Sequence, residues 1–311
     1  MWVSLELLLL GALAAVVAPR LVARAEWPER EPVVALWVWQ CVVAAVLLCF
    51  GLSMTFSAAA AWQLVRGHVF ASAPHAVVEA YALGADEPWA AVLAVILACG
   101  GLWTGAKLTQ EIHRAHVRRK KQRREVLVRS PRLPGEEPGS EPLVVLEGKR
   151  TDAWWLSGAA PQLVITTAAL RRLKGRQLDA VLAHEQGHAR ARHDWLLHCS
   201  AALAGGFPQI PVFAAFRDEM HRLVELAADD VASRRFGRLT IALALVELNE
   251  DRGVFGPCPT PGAQLPQRVN RLLTPAPRLT PRRRLGLAAA ATLVPLVPLL
   301  VAIGPGLRAL G

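Results

Sequence analysis

Four apolar stretches, at residues 2–18, 33–56, 89–106 and 285–303, set what this chain can become. Each approaches the roughly 20 residues that an α-helix needs to cross a bilayer core of ~30 Å. Inside lipid a backbone must satisfy its own N–H and C=O groups, so unbroken apolar runs of this length are expected as helices. They lift the chain to 53% hydrophobic residues and a mean hydropathy of +0.31, high for a soluble protein. No basic region precedes residues 2–18, so that stretch reads as a first span, ended by Pro19 and Arg20, and not as a secretory signal. Trp37 and Trp39, at the start of the second stretch, suit a membrane–water interface.

The positive charge follows the spans. Residues 107–129 hold nine Lys and Arg against Glu111 and Glu125, and Arg282, Arg283 and Arg284 supply three more, which together match the whole net charge of +10. Both clusters abut apolar runs, as cytoplasmic flanks do. The loop at 19–32 carries Arg20, Arg24 and Arg30, whereas the loop at 57–88 carries Arg66 as its one basic residue. This asymmetry predicts both termini outside, residues 107–284 in the cytoplasm, and a multi-pass protein of the cell membrane. It explains the charge through anionic lipid and leaves no direct role for nucleic acid. The five cysteines, Cys41, Cys49, Cys99, Cys199 and Cys258, show neither disulfide nor four-cysteine zinc spacing.

Between the third and fourth spans the chain changes character. PRLPGEEPGSEP at 131–142 is a linker by composition. LVVLEG, DAWWLSG and PQLVITT then read as short strands, separated by Gly148, Gly158 and Pro161. Thr167 is placed to cap a helix AALRRLKG that Gly175 ends, and a second helix follows from about Arg176 to Arg192. The apolar segment 195–216 is interrupted by Gly205, Gly206, Pro208 and Pro211, and so reads either as a membrane-touching helix-turn-helix or re-entrant hairpin, or as a core helix.

The second of those helices contains HEQGH. His184 and His188 stand four apart, so both imidazoles leave the same helix face. Such a pair supplies two of the three protein ligands that leave a catalytic zinc one open position. Glu185, one residue on, suits a general base that takes a proton from water and later delivers it to a leaving amine. A random shuffle of this composition would produce the pattern about 0.014 times, so its location carries weight. A third ligand is expected downstream in HRLVELAADDVASRRFG. Glu225 is the first choice, with Glu219 and His221 as rivals, and Asp229 on the same face suits a carboxylate that orients a ligating histidine. Asp230 is expected on the solvated side. His193 and His198 lie off the ligand spacing and are expected to be structural or interfacial.

HEQGH, a His at 193, then ELAAD at 225–229, resembles the HExxH…ExxxD signature of the membrane gluzincins, which include the HtpX and CAAX-prenyl proteases. Three spans, a cytoplasmic zinc domain and a fourth span look more like the BlaR/MecR branch of beta-lactam sensor-transducers, here without the extracellular sensor domain. The resemblance implies His184, His188 and Glu225 as Zn2+ ligands, Glu185 as general base and Asp229 as the acid behind a ligand. In that pattern a late His precedes an Arg by six residues, and both steady substrate or oxyanion. Arg268 matches the Arg, as an electrostatic stabiliser or else a surface arginine, but Gly262 stands where the His would be. The strand near 152–156 would be the sheet edge that takes an extended substrate.

The expected fold is therefore an α-helical integral membrane protein with an inserted cytoplasmic α+β zincin-like metalloprotease domain. Its parts are three spans within 1–106, a basic juxtamembrane segment and linker at 107–142, the metallopeptidase domain at 143–280, and a fourth span with a short tail at 281–311. The expected function is zinc-dependent cleavage of a protein or peptide, such as a cytoplasmic repressor or a membrane protein, in signal-responsive regulation. The alternative is a non-proteolytic membrane transducer with a structural zinc site. A transporter is disfavoured, because the spans carry almost no charge. The sequence leaves the oligomeric state open.

Overall fold

A computed structural model describes residues 2–66, 88–129, 143–149, 151–156, 162–249, 264–274 and 276–310. The expected linker at 131–142, most of the loop at 57–88, and Gly158, Pro161 and Gly262 lie outside them. Most of the described chain is helical.

The first apolar stretch forms α1 (Trp2–Ala23), which runs on through Pro19. Proline inside a helix costs ~3 kcal/mol. Here Ala15, Ala18 and Val22 on both sides of it pack into one core, and that burial offsets the cost. A short α2 (Trp27–Arg30) leads into α3 (Pro32–Arg66), which runs ten residues past the end of the expected second span. The extension SAAAAWQLVR is alanine-rich, so nothing in it stops the helix. Trp39 is fully buried, its ring centroid 6.2 Å from that of Phe216, and it does not serve as an interface anchor. Trp37 is the exposed one, and its indole N–H donates to Thr292 Oγ1 at 3.2 Å.

The third stretch and the basic stretch are one helix, α4 (Pro88–Arg129), about 63 Å long at 1.5 Å per residue. The expected boundary at 106–107 is thus a change of composition within a helix. Lys, Arg, Gln and Glu are all good helix formers, and Glu111 pairs with Arg114 at 2.7 Å one turn on.

Residues 143–166 form a three-stranded sheet of β1 (Leu143–Leu146), β2 (Ala153–Leu156) and β3 (Gln162–Thr166), in the order β1-β3-β2. β1 runs parallel to β3, with Val144 opposite Val164, and β2 runs antiparallel to it, with Trp154 opposite the same valine. The central strand is buried throughout, which suits its β-branched run. Thr166, one residue earlier than expected, caps α5 (Thr167–Arg172) by accepting from the Ala169 N–H at 3.2 Å. The Thr167 hydroxyl instead donates to the Gly148 carbonyl.

Four helices complete the site region: α6 (Arg176–Arg190), α7 (His193–Gly206), α8 (Pro211–Phe236) and α9 (Arg238–Asn249). Ala153 and Ile165 of the sheet pack on Val181 of α6 and on Ala244 and Leu248 of α9. The segment 195–216 folds as the end of α7 and the start of α8, joined by a turn. Leu203, Phe213 and Phe216 from it share a core with Leu36, Trp39 and Val43 of α3. A Cβ on Gly205 or Gly206 would touch Glu111 or Leu108, so the end of α7 rests closely on α4. The region that carries HEQGH is thus seated directly on the apolar helices.

After α10 (Gln264–Leu273) the chain enters α11 (Pro281–Leu293) and α12 (Leu296–Leu310). The expected single span at 285–303 is a pair bent by 41°. Pro295 at the break lacks an N–H and crowds the preceding turn. Among the described residues, α1 and α3 are each long and apolar enough to cross a membrane, and the bent pair qualifies if counted as one span.

Candidate metal centre

α6 and α8 lie side by side, and their contact faces build the site. The two helices run close at Gly187, where a Cβ would meet the Ala228 Cα at 3.5 Å and the Val231 Cβ at 3.6 Å, an ordinary contact that leaves no room for a larger side chain. On α6, one turn separates His184 from His188, so the two Nε2 atoms converge to 3.1 Å. Glu225 meets them from α8, with Oε2 3.5 Å from His184 Nε2 and Oε1 3.4 Å from His188 Nε2. One ligand atom from each residue lies within 4.8 Å of the others. Of the rivals for the third position, Glu219 pairs with Arg222 at 2.9 Å, and His221 is outside the cluster.

Every member is held from behind. His184 Nδ1 faces Asp229 Oδ1 at 3.0 Å, and Asp229 is fully buried. His188 Nδ1 faces the Nδ1 of His193 at 3.0 Å. Glu185 and Arg268 are buried too. Arg268 is not a surface residue, and its guanidinium is taken up by two carboxylates. Its Nε and Nη2 donate to the two oxygens of Asp229 at 2.8 and 2.7 Å, and Nη1 lies 2.7 Å from Glu225 Oε2. Two buried carboxylates demand a cation; the arginine fork satisfies Asp229 with two hydrogen bonds and offers Glu225 its charge alone.

The charge states follow from burial and from these partners. Burial pushes His184 down, but the hydrogen bonds and charges of Asp229 and Glu225 outweigh it and hold the imidazole up at about 10. Burial takes His188 down to about 3, Glu225 opposing, with the charges of His184, His193 and Arg268 adding to the fall. Burial likewise takes His193 to about 4. Glu225 stays well below the usual carboxylate range: burial raises it, and Arg268 and His188 reverse that. Asp229 is held at about 2 by Arg268 and His184 against the same burial.

The donor set fits a divalent cation of borderline softness: two imidazole nitrogens and one carboxylate. Glu225 Oε2 is buried in the middle of the cluster, and although it is 2.7 Å from the Arg268 guanidinium it receives no aligned hydrogen bond. A buried carboxylate oxygen of this kind is what a metal ion would satisfy.

Residues 117–210 match the model of Peptidase family M48. The match takes in the end of α4, the sheet, α6 with HEQGH and α7, and stops before Glu225. It spans less than a third of the chain. No curated protein and no solved structure matches the chain. M48 members are metal-dependent peptidases, so the family model and the ligand cluster, which adds Glu225 from beyond the matched segment, point to the same chemistry.

Two residues at the site depart from their expected surroundings. Asp230, expected in solvent, is buried, and pairs with Arg271 at 2.9 Å and Arg278 at 3.0 Å. Its side chain points away from the metal cluster, but α10 and the chain after it cover that face of α8. His193, expected off the ligand spacing, is outside the ligand cluster, but its Nδ1 meets that of His188 at 3.0 Å because the chain breaks its helix at Arg192, which no helical spacing would show.

Proposed function

We propose that this chain is a zinc-dependent endopeptidase, held in the membrane by its apolar helices, that cleaves a protein substrate at the cytoplasmic face. The observation that carries the reading is the cluster of His184, His188 and Glu225, buried but for a partly exposed His188, with Glu185 beside it, inside and just beyond a segment that matches a peptidase family. Zinc bound there would supply Lewis acidity toward a scissile carbonyl. Glu185 would take the proton of the attacking water on its carboxylate and pass it to the leaving amine. Asp229 fixes the tautomer of His184, so that Nε2 is the nitrogen offered to the metal. Arg268 keeps Glu225 and Asp229 ionised and in place. β2 lies at a sheet edge among the described residues and touches α6, where an extended peptide would add as a further strand.

The side of the membrane is supported by the connection between α1 and α3. Glu29 pairs with Arg222 of α8 at 3.1 Å, and its carbonyl accepts from Arg271 of α10 at 2.7 Å. Glu31 pairs with Arg284 at 3.3 Å. That connection therefore shares a side with the metal centre. Its arginines, and those of α4, favour the cytoplasm. Substrates of this reading are cytoplasmic regulators, such as a repressor, or membrane proteins, in a signal-responsive pathway of the kind the BlaR/MecR proteins serve.

The test uses full-length protein in detergent micelles, metal analysis, and β-casein as the probe substrate. Wild type should hold about one zinc per chain and cleave casein in a chelator-sensitive way. Glu185→Gln should keep the zinc and lose about 100-fold or more in rate. Cleavage at the wild-type rate by a zinc-loaded Glu185→Gln protein would overturn the mechanism.

A further inference from the structure

We infer that His193 is the positioning residue for the ligand His188, accepting a hydrogen bond from its Nδ1–H so that Nε2 stays turned toward the metal. The inference rests on the zinc reading above and adds a residue to it.

An imidazole that binds metal through one nitrogen carries its hydrogen on the other, and the partner of that hydrogen fixes both tautomer and ring angle. For His184 that partner is Asp229, at 3.0 Å from Nδ1. Among the described residues, what stands behind His188 is a second imidazole and not a carboxylate. The Nε2 of His188 points at His184 Nε2 and Glu225 Oε1, at 3.1 and 3.4 Å, and its Nδ1 meets His193 Nδ1 at 3.0 Å. With Nε2 as the metal-facing atom, His188 Nδ1 must donate and His193 Nδ1 must accept, which leaves the hydrogen of His193 on its own Nε2. The two rings meet edge to face, 4.9 Å apart at 81°, and His193 is 4% exposed.

The backbone is bent to make this contact. In a continuous helix, residue 193 would lie about 140° around the axis from residue 188, at 100° per residue, and would face away. Instead α6 stops at Arg190, and Arg192 adopts φ 53° and ψ 39°. It is the one non-glycine residue with positive φ among the described residues. Such a conformation is disfavoured for a side chain that is neither Gly, Asn nor Asp. α7 then restarts at His193, whose ring returns beneath His188. A merely buried histidine would need neither the turn nor the nitrogen-to-nitrogen alignment.

The two nitrogens predict which substitutions work. Asn places its amide oxygen at the same bond distance from Cα as His Nδ1, and so can accept the same hydrogen. Phe keeps the ring and loses the acceptor. Full-length wild type, His193→Ala, His193→Asn and His193→Phe would be compared in micelles for zinc affinity by chelator competition, and for the visible spectrum of the cobalt-substituted protein. His193→Ala and His193→Phe should bind zinc about 10–100-fold more weakly, with an altered cobalt spectrum. His193→Asn should recover most of the affinity and the wild-type spectrum. If His193→Ala fails to fold, the Asn and Phe pair still decides the matter. Equal zinc affinity and equal spectra for Asn and Phe would overturn the role of His193 and leave the zinc reading intact. A wild type that binds no zinc would overturn both.

Discussion

Arg268 grips both oxygens of Asp229, with Nε 2.8 Å from Oδ2 and Nη2 2.7 Å from Oδ1, in a place where neither side chain meets solvent to any extent. The same guanidinium reaches Glu225. Removing one partner of a buried pair strands the other, at a cost of about 3–5 kcal/mol. Arg268→Ala should therefore destabilise the chelator-treated protein by that amount in denaturant unfolding. Arg268→Lys should recover only part of it, since an ammonium cannot make the two-pronged contact. A change below about 1 kcal/mol for the alanine variant would show that the pair is not holding the site together.

Metal uptake should release a proton. His184 sits at about 10 in the metal-free protein, because the hydrogen bonds and charges of Asp229 and Glu225 outweigh the effect of burial. The sign is that of a raised histidine. The stability it contributes is fully present below the unfolded value near 6.5, and is lost as pH rises through about 10. A ligating imidazole must give up that proton, whereas His188, at about 3, has none to lose at neutral pH. Zinc titration at pH 7.5, by calorimetry in buffers of different ionisation enthalpy, should show about one proton leaving these ligands. Affinity should climb up to about tenfold per pH unit below 10. Uptake without proton release would contradict the charge state assigned to His184.

Neighbouring aspartates should behave in opposite ways. Asp229 faces His184 Nδ1 at 3.0 Å, while Asp230 turns to Arg271 and Arg278. Asp229→Asn should weaken zinc binding about 10–100-fold. Asp230→Asn should leave zinc binding within a few-fold, and lower stability by about 1–2 kcal/mol, through weakened hydrogen bonds to charged groups. Chelator competition and denaturant unfolding on the two variants separate these outcomes. A loss of zinc affinity in Asp230→Asn equal to that in Asp229→Asn would remove the distinction.

The parts of the site that follow a helical period were legible in the sequence. His184 and His188 differ by one turn, and so do Glu225 and Asp229, so a face could be read before any fold was known. The parts that depend on chain reversal were not. His193 reaches His188 only through the left-handed Arg192, and a lone arginine at 192 announces no such turn. Asp230 could be placed on the far side of α8, but nothing local said that Arg271 and Arg278, more than 40 residues on, would cover it. The apolar runs identified the helices but not their ends. Hydropathy falls at Pro19 and Lys107, yet alanine, arginine and lysine carry a helix as readily as leucine does. Trp39 shows the same limit: an indole that suits headgroups also suits a protein core, and Phe216 of α8 decided between them.

Gly187 can be used to vary the distance between the helices that share the ligands. A Cβ at this position would lie 3.5 Å from the Ala228 Cα and 3.6 Å from the Val231 Cβ, which is ordinary contact. Gly187→Ala should fit, and should stabilise the protein by about 0.5–1 kcal/mol, since alanine loses less backbone freedom in a helix. Gly187→Leu has no such room, and overpacking of that kind costs about 1–3 kcal/mol. The cost would be met by moving α6 off α8. His184 and His188 ride on the first helix and Glu225 on the second, so the ligand atoms would spread beyond the 4.8 Å they now span. The leucine variant should thus lose zinc affinity out of proportion to its loss of stability, while the alanine variant keeps both. Melting temperature with and without chelator, read beside zinc affinity, checks the pair. A leucine variant that binds zinc as tightly as wild type would show that the centre does not depend on the close approach of these two helices.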